Sequence, residues 1–268
     1  MKVLVIGAGN MGLIYAQAMS KSKLLNKRNL MILDNSPEKL QSLKKISQFD
    51  VYDRLEDCVP LADLIFFAVK PYHSEDLFQK IKPLAKQGQI AISIMAGVTI
   101  ATLQEGLGLQ KVVRAMPNLP AQVGKGVTSY TASDAVSRIE LLTIENLLDT
   151  TGKSLKVSSE KYIDASTGIS GSGPAYVFYF MQSMMEAALK MGFSANDSKL
   201  LVSHTFEGAV ELFNQSDLSP NKWMEKVASK GGTTRAALDS MEDNNVKELI
   251  KEAAYAAFNR AIELGKEK

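Results

Sequence analysis

The chain has 268 residues, of which 46% are apolar and 22% charged, with a formal net charge of +2 from 31 basic and 29 acidic residues. That length suits two cores better than one, and the composition excludes wholesale disorder. Near balance of charge leaves no basic face for nucleic acid and no polybasic patch for a membrane surface.

In chain order, Lys2–Gly7, Leu30–Asp34, Leu64–Val69, Ile90–Met95 and Lys111–Ala115 read as strands, with a short one near Val51. They are almost continuously apolar, as expected when helices cover both faces of a parallel sheet. Helical patterns lie between them, one after Gly12, one opening at Ser36-Pro37-Glu38, one near Ser74 and one near Thr99. Ser36 suits a cap and Pro37 the first helical position. A strand over Gly126–Thr131, a helix over Asp134–Asp149 and a strand over Ser154–Val157 extend the same sheet. From about Glu160 only helices follow, over Glu160–Thr167, Ala175–Met191, Asn196–Asn214, Pro220–Ala228, Thr234–Glu242 and Val246–Lys266. The expected architecture is α/β, a Rossmann-like doubly wound sheet over residues 1–158 followed by an all-helical domain over 159–268.

No apolar run reaches the ~18 residues of a membrane span, and the N-terminus lacks the apolar core of a signal peptide, so a cytoplasmic protein is expected. Cys58 is the only cysteine, which rules out an intrachain disulfide. Its neighbours Glu56 and Asp57 oppose thiolate formation, so it reads as a packing residue.

The segment Gly7-Ala8-Gly9-Asn10-Met11-Gly12 follows the first strand and opens a helix. Glycines at these spacings permit a tight turn, backbone approach to a pyrophosphate, and close helix–strand packing. The free N–H groups and positive dipole end of the helix then face the phosphates. Asp34 ends the second strand, followed by Asn35 rather than arginine. A carboxylate there accepts bonds from ribose hydroxyls and repels a 2′-phosphate, which leans the cofactor toward NADH.

Ligands of such sheets bind beyond the carboxyl ends of the strands. Ala68-Val69-Lys70-Pro71, Met95-Ala96-Gly97 and the loop containing Asn118 occupy those positions. Together they read as a cofactor cleft, with Asn118 available to the nicotinamide. In the helical half, Ser170–Tyr176 and Gly231-Gly232-Thr233-Thr234 each precede a helix and offer N–H groups and hydroxyls. They read equally as carboxylate receptors or as ordinary helix-starting turns.

The chain has two histidines, His73 and His204, and no pairing of either with a carboxylate suggests an acid–base relay. His204, among apolar neighbours, reads as structural. No ligand spacing suggests a metal. A reductase without a strong general acid suits an imine better than a ketone. Alkoxide charge needs a donor, whereas a protonated C=N is already electrophilic.

Five segments carry a resemblance over nearly the whole chain: Gly7–Gly12, Ala68–Pro71, Arg114-Ala115-Met116-Pro117-Asn118 through Gly126, Thr167–Phe178 and Gly231–Thr234. By these the chain resembles the pyrroline-5-carboxylate reductases. The resemblance implies reduction of 1-pyrroline-5-carboxylate to L-proline by NAD(P)H, with a helical domain that binds substrate and forms a homodimer or higher homo-oligomer. It places Thr234 opposite the ring nitrogen as the catalytic hydroxyl. Gly232 and Thr233 become the carboxylate cradle, with Glu160 and Ser172 bordering the substrate. Two departures stand out. The family usually has proline where Lys230 stands, and many members lack an acidic residue at Asp34. Alternatives are an imine or β-hydroxyacid reductase for another small acid, or a non-catalytic dinucleotide sensor.

Overall fold

A computed structural model describes residues 1–46 and 48–266. By internal contacts it divides into two compact units. The first is Met1–Ser172 together with the chain from Ala256 on, and the second is Gly173–Tyr255.

The first unit is built on eight strands: β1 (Val3–Ile6), β2 (Leu30–Leu33), β3 (Asp50–Tyr52), β4 (Leu64–Phe67), β5 (Ile90–Ser93), β6 (Lys111–Met116), β7 (Gly126–Ala132) and β8 (Gly152–Lys156). Their order across the sheet is β3-β2-β1-β4-β5-β6-β7-β8. Side chains alternate between faces along each strand, and here both faces are buried. Val3, Val5, Leu30, Ile32, Leu64 and Phe66 join one core, whereas Leu4, Ile6, Met31, Leu33, Ile65 and Phe67 join the other. Helices α1 (Asn10–Lys21), α2 (Pro37–Lys44) and α6 (Arg138–Leu148) cover the first face through Tyr15, Met19, Leu43, Ile144 and Leu148. Helices α3 (Leu55–Cys58), α4 (Ser74–Ile81) and α5 (Ile100–Leu107) cover the second through Cys58, Phe78, Ile81, Leu103 and Leu107. This is the expected doubly wound sheet.

One pairing departs from the expected parallel sheet, because β7 runs antiparallel to β6. Parallel strands need a crossover of about a dozen residues or more, and only residues 117–125 separate Met116 from Gly126. With α6 as the crossover, β8 then returns parallel to β7. The helix expected from Asp134 starts at Arg138, since Ser137 and Glu140 form a reciprocal capping box.

In chain order, α7 (Glu160–Ser166) leads through a π-helical turn at Thr167–Gly171 into α8 (Gly173–Lys190). The second unit contains α8, α9 (Ala195–Asn214), α10 (Pro220–Val227), α11 (Thr233–Asp243) and the start of α12 (Val246–Lys266). Helix α8 is apolar around its first turns yet buries none of its residues. Phe178 is 59% and Tyr179 75% exposed. Among the described residues, no helix is long and apolar enough to cross a membrane.

Candidate active site

The strand order reverses between β1 and β4, which opens a crevice at their carboxyl ends. The glycine loop fills one side of it. Gly7, in the left-handed region at φ +98, donates its N–H to the Leu33 carbonyl at 2.8 Å. A Cβ on Gly12 would collide with the Gly7 carbonyl oxygen and with Cβ of Ala68, so only glycine lets α1 start this close to the sheet. Helix α1 begins at Asn10 rather than after Gly12, and its first backbone bond runs from Leu13 N–H to the Gly9 carbonyl at 2.9 Å. The N–H groups of Asn10, Met11 and Gly12 therefore have no acceptor within their own helix. No side chain caps them, and the Cβ direction of Gly9 opens onto free space. This cradle fits a pyrophosphate.

Asp34 does not stand free at the end of β2. It is 5% exposed. Its Oδ2 accepts the Ala8 N–H at 2.7 Å and the Lys39 ammonium at 3.2 Å, while Oδ1 accepts the Ser36 N–H at 2.9 Å. Three of its about four acceptor positions are thus taken within the protein, and one on Oδ1 remains. Asn35 beside it is exposed.

The remaining strand ends divide between packing and opening. Ala68 and Val69 are half-buried, Lys70 is exposed, and Pro71 starts a 3-10 turn that ends at His73. Met95 is buried in the core, so it supports its loop from beneath. Ala96 is half-buried, and Gly97 lies against the end of α12, where a Cβ would sit 2.9 Å from the Leu264 carbonyl oxygen. Asn118 Oδ1 accepts the Val127 N–H at 2.8 Å, which fixes the side chain and leaves its amide N–H groups as donors.

Glu160 is held by a buried arginine. Arg114, 2% exposed on β6, pairs with Glu160 at 3.1 Å and with Asp164 at 2.5 Å. The same Glu160 oxygen accepts the Ile100 N–H at 2.9 Å, capping the start of α5. Sequence reasoning recorded Arg114 as part of a motif and missed this role. A charge in the middle of a mostly apolar strand was the available signal, since such a charge is buried only with partners.

The segment Ser170–Tyr176 is not a helix-starting turn. The chain passes from α7 to α8 without leaving helical conformation, and Ser172 donates its N–H to the Thr167 carbonyl at 2.8 Å across the π turn. That N–H is thereby spent within the turn, and π turns recur at functional positions.

In the second unit, Gly231 has φ +72 and Gly232 donates to the Ser229 carbonyl at 3.0 Å, which closes a tight turn before α11. Gly232 is the N-cap and no side chain caps the helix. The N–H groups of Thr233, Thr234 and Arg235 consequently have no intrahelical acceptor. Thr234 is half-buried, and Thr233 and Lys230 are exposed. This turn can receive a carboxylate with a hydroxyl beside it.

The side chains not recruited to either arrangement are simple to read. His204 is 69% exposed beside Glu207 at 3.7 Å, so its expected apolar surroundings are absent within this chain. Burial pushes the Cys58 thiol up to about 12, with Asp57 and Glu56 adding to it, which makes the thiol inert. Among the described residues, no group of three or more His, Cys, Asp or Glu side chains could hold a metal ion.

Residues 160–264 match a family model described as pyrroline-5-carboxylate reductase dimerisation, and residues 2–97 match one described as NADP oxidoreductase, coenzyme F420-dependent. The pyrroline-5-carboxylate reductase of Pseudomonas aeruginosa is 34% identical over 99% of this chain and 97% of its own length. The chain belongs to the pyrroline-5-carboxylate reductase family. Pyrroline-5-carboxylate reductase 2 of Bacillus subtilis is 31% identical over 98% of this chain and 95% of that protein. Among solved structures, the Plasmodium falciparum pyrroline carboxylate reductase with NADP bound superposes with a TM-score of 0.89 at 30% identity, covering 99% and 98% of the two chains. The Coxiella burnetii enzyme gives 0.91 at 30% identity, covering 98% of each.

The glycine loop makes a sharp prediction for the family member described here. Gly12→Ala should lower affinity for the reduced cofactor at least a hundredfold, because the methyl group pushes the first turn of α1 away from β1. Titration of NADPH fluorescence checks it, and affinity within threefold of wild type would show that the turn is not the cradle.

Proposed function

We infer that this chain reduces 1-pyrroline-5-carboxylate to L-proline with NAD(P)H, the last step of proline biosynthesis. The observation that carries this reading is the extent of the kinship, 34% identity over 99% of the chain. Both the glycine loop and the Gly231–Thr234 turn lie inside it. Bound NAD(P)H supplies the hydride. Gly7, Ala8, Gly9, Asn10, Met11 and Gly12 form its pyrophosphate cradle, with Asp34 and Asn35 at the adenosine side. Ala68, Val69, Lys70 and Pro71, with Met95, Ala96, Gly97 and Asn118, form the wall along the strand ends.

The substrate carboxylate is assigned to the turn at Gly232 and Thr233, where the N–H of Thr233 has no intrahelical acceptor and the positive end of α11 favours an anion. The Thr234 hydroxyl orients the ring nitrogen. Glu160 and Ser172 border the substrate, Glu160 with its carboxylate fixed by Arg114 and Ile100. No side chain has to deliver a proton during hydride transfer, because a protonated imine already carries it. That economy agrees with a site assigned no histidine. Residues 1–158 serve the cofactor and 159–268 the substrate and dimer, a division supported by the dimerisation match beginning at residue 160. Residues 267 and 268 lie outside the described residues. We place this activity in the cytoplasm, where reduced nicotinamide cofactors are produced.

A second copy of the chain is the natural cover for α8. A helix apolar on all sides is ordinarily buried on all sides, yet α8 buries no residue in the single chain. Two-fold homodimers are the commonest closed assembly. Light scattering should therefore return about twice the 29.2 kDa of one chain, or a multiple of that. An active species of single-chain mass would exclude the dimer.

Initial rates of cofactor oxidation with pyrroline-5-carboxylate, beside a panel of keto acids, test the activity. Turnover should be confined to the imine, and a keto acid reduced equally well would overturn the reading. Thr234→Val should lower turnover roughly ten- to a hundredfold while leaving cofactor affinity unchanged, as expected for loss of one hydrogen bond near a charged group, about 1.5–3 kcal/mol. Wild-type turnover in that variant would remove Thr234 from the chemistry.

A further inference from the structure

We propose that Arg114 is a positioning residue for the reaction: acting through Glu160, it fixes the loop between β5 and α5 against the nicotinamide end of the cofactor. The inference rests on the reading of the chain as an NAD(P)H-dependent imine reductase and adds to it a residue one step removed from the reacting atoms.

Sheet order gives the direction of the cofactor. The strands run β2, β1, β4, β5, β6 across this part of the sheet. A dinucleotide with its adenosine at the end of β2 and its pyrophosphate at β1 extends its nicotinamide toward β5 and β6. Residues 94–99 stand there, between Ser93 at the end of β5 and Ile100 at the start of α5. At the near end of this loop Met95 donates its N–H to the Ser93 hydroxyl at 3.2 Å, and both Met95 and Val98 are buried. The far end is less self-sufficient. Ile100 opens α5, so its N–H has no intrahelical acceptor. The Thr99 hydroxyl serves the Thr102 N–H, and the acceptor for Ile100 is Oε1 of Glu160 at 2.9 Å.

Glu160 is brought there by Arg114. Glu160 and Asp164 are four residues apart on α7, hence on one face of the helix. The guanidinium fork spans them, with Nη1 on the same Oε1 of Glu160 at 3.1 Å and Nη2 on Asp164 at 2.5 Å. Beside Arg114 on the neighbouring strands stand Ser93 and Thr131, buried side chains short enough to leave the arginine a path to α7. Stability does not require this arrangement, since well-packed apolar residues in place of a buried ion pair are often as stable. Geometry does. Two carboxylates held at once need a planar fork, and a lysine supplies only a point charge. The contacts from Arg114 through Glu160 to Ile100 therefore set the backbone beside the nicotinamide, where a displacement of about 1 Å slows a transfer step.

Steady-state kinetics on the full-length protein test the proposal, with cofactor affinity read by fluorescence titration. Arg114→Lys and Glu160→Ala should each lower kcat roughly tenfold, leaving cofactor affinity and the KM for the imine within about threefold of wild type. Glu160→Gln keeps an oxygen for Ile100 and should recover at least about threefold of the loss seen with alanine. The double variant Arg114→Lys with Glu160→Ala should be no slower than Glu160→Ala alone, because Arg114 acts through Glu160. The Glu160 side chain is 32% exposed, so Glu160→Ala carries the test even where an Arg114 variant does not fold. Unchanged kcat in Glu160→Ala, a raised KM with kcat unchanged (the sign of a direct substrate contact), or losses that multiply in the double variant would each overturn the proposal alone. A wild-type protein that does not reduce the imine overturns the imine-reductase reading, and the proposal with it.

Discussion

The first turn of α1 cannot satisfy its own N–H groups, and the carboxyl edge of the sheet is arranged around that deficit. A helix needs four residues before its backbone bonds close, so Asn10, Met11 and Gly12 present donors wherever the turn is aimed. Aiming it at the crevice requires the helix to start hard against β1. Contact that close is possible only because Gly12 has no Cβ to strike the Gly7 carbonyl. Asp34 completes the arrangement from the next strand. By accepting the Ala8 N–H it removes one donor from the loop and fixes the turn. The donors that remain are those an anion can use.

Charge inside this unit is used to fix geometry. Arg114 is 2% exposed, lies between Ser93 on β5 and Thr131 on β7, and reaches two carboxylates on α7. Such a network contributes little net stability, because desolvation offsets most of the attraction. Its effect is to hold α7 against β6 in one register and to keep Glu160 turned toward the start of α5. The helix continues from α7 into the π turn at Thr167–Gly171. Asp34 and Arg114 thus act alike, each a buried charged side chain that fixes a neighbouring segment to the sheet.

Much of this was legible in the sequence, and the exceptions share a cause. The five strands expected from apolar runs exist, since a run buried on both faces has no other stable use in an α/β unit, and so do the short one near Val51 and the two that extend the sheet. The helices after residue 160 were legible from their periodicity and from starts such as Ser219-Pro220. What spacing does not report is where a side chain or N–H group spends its bonds. Asp34 looked like a ribose ligand because its place on the strand fits one. Lys39, five residues on, fills one of its oxygens, and spacing does not report that. Ser172 lay in a glycine-rich stretch that suggested a turn, but the π turn closes over it and uses its N–H. His204 seemed enclosed because its chain neighbours are apolar, yet α9 turns it outward.

The chemistry assigned to the chain asks little of its side chains beyond placement: a cradle for one anion, a second for another, and a hydroxyl to align a nitrogen. Everything then depends on a hydride passing from the nicotinamide to the imine carbon. The direct measurement is isotopic. With cofactor deuterated at both positions of nicotinamide C4 and unlabelled pyrroline-5-carboxylate in ordinary water, mass spectrometry should find proline carrying one deuterium, on the ring carbon next to nitrogen. Proline without deuterium, or deuterium at any other carbon, would contradict the account.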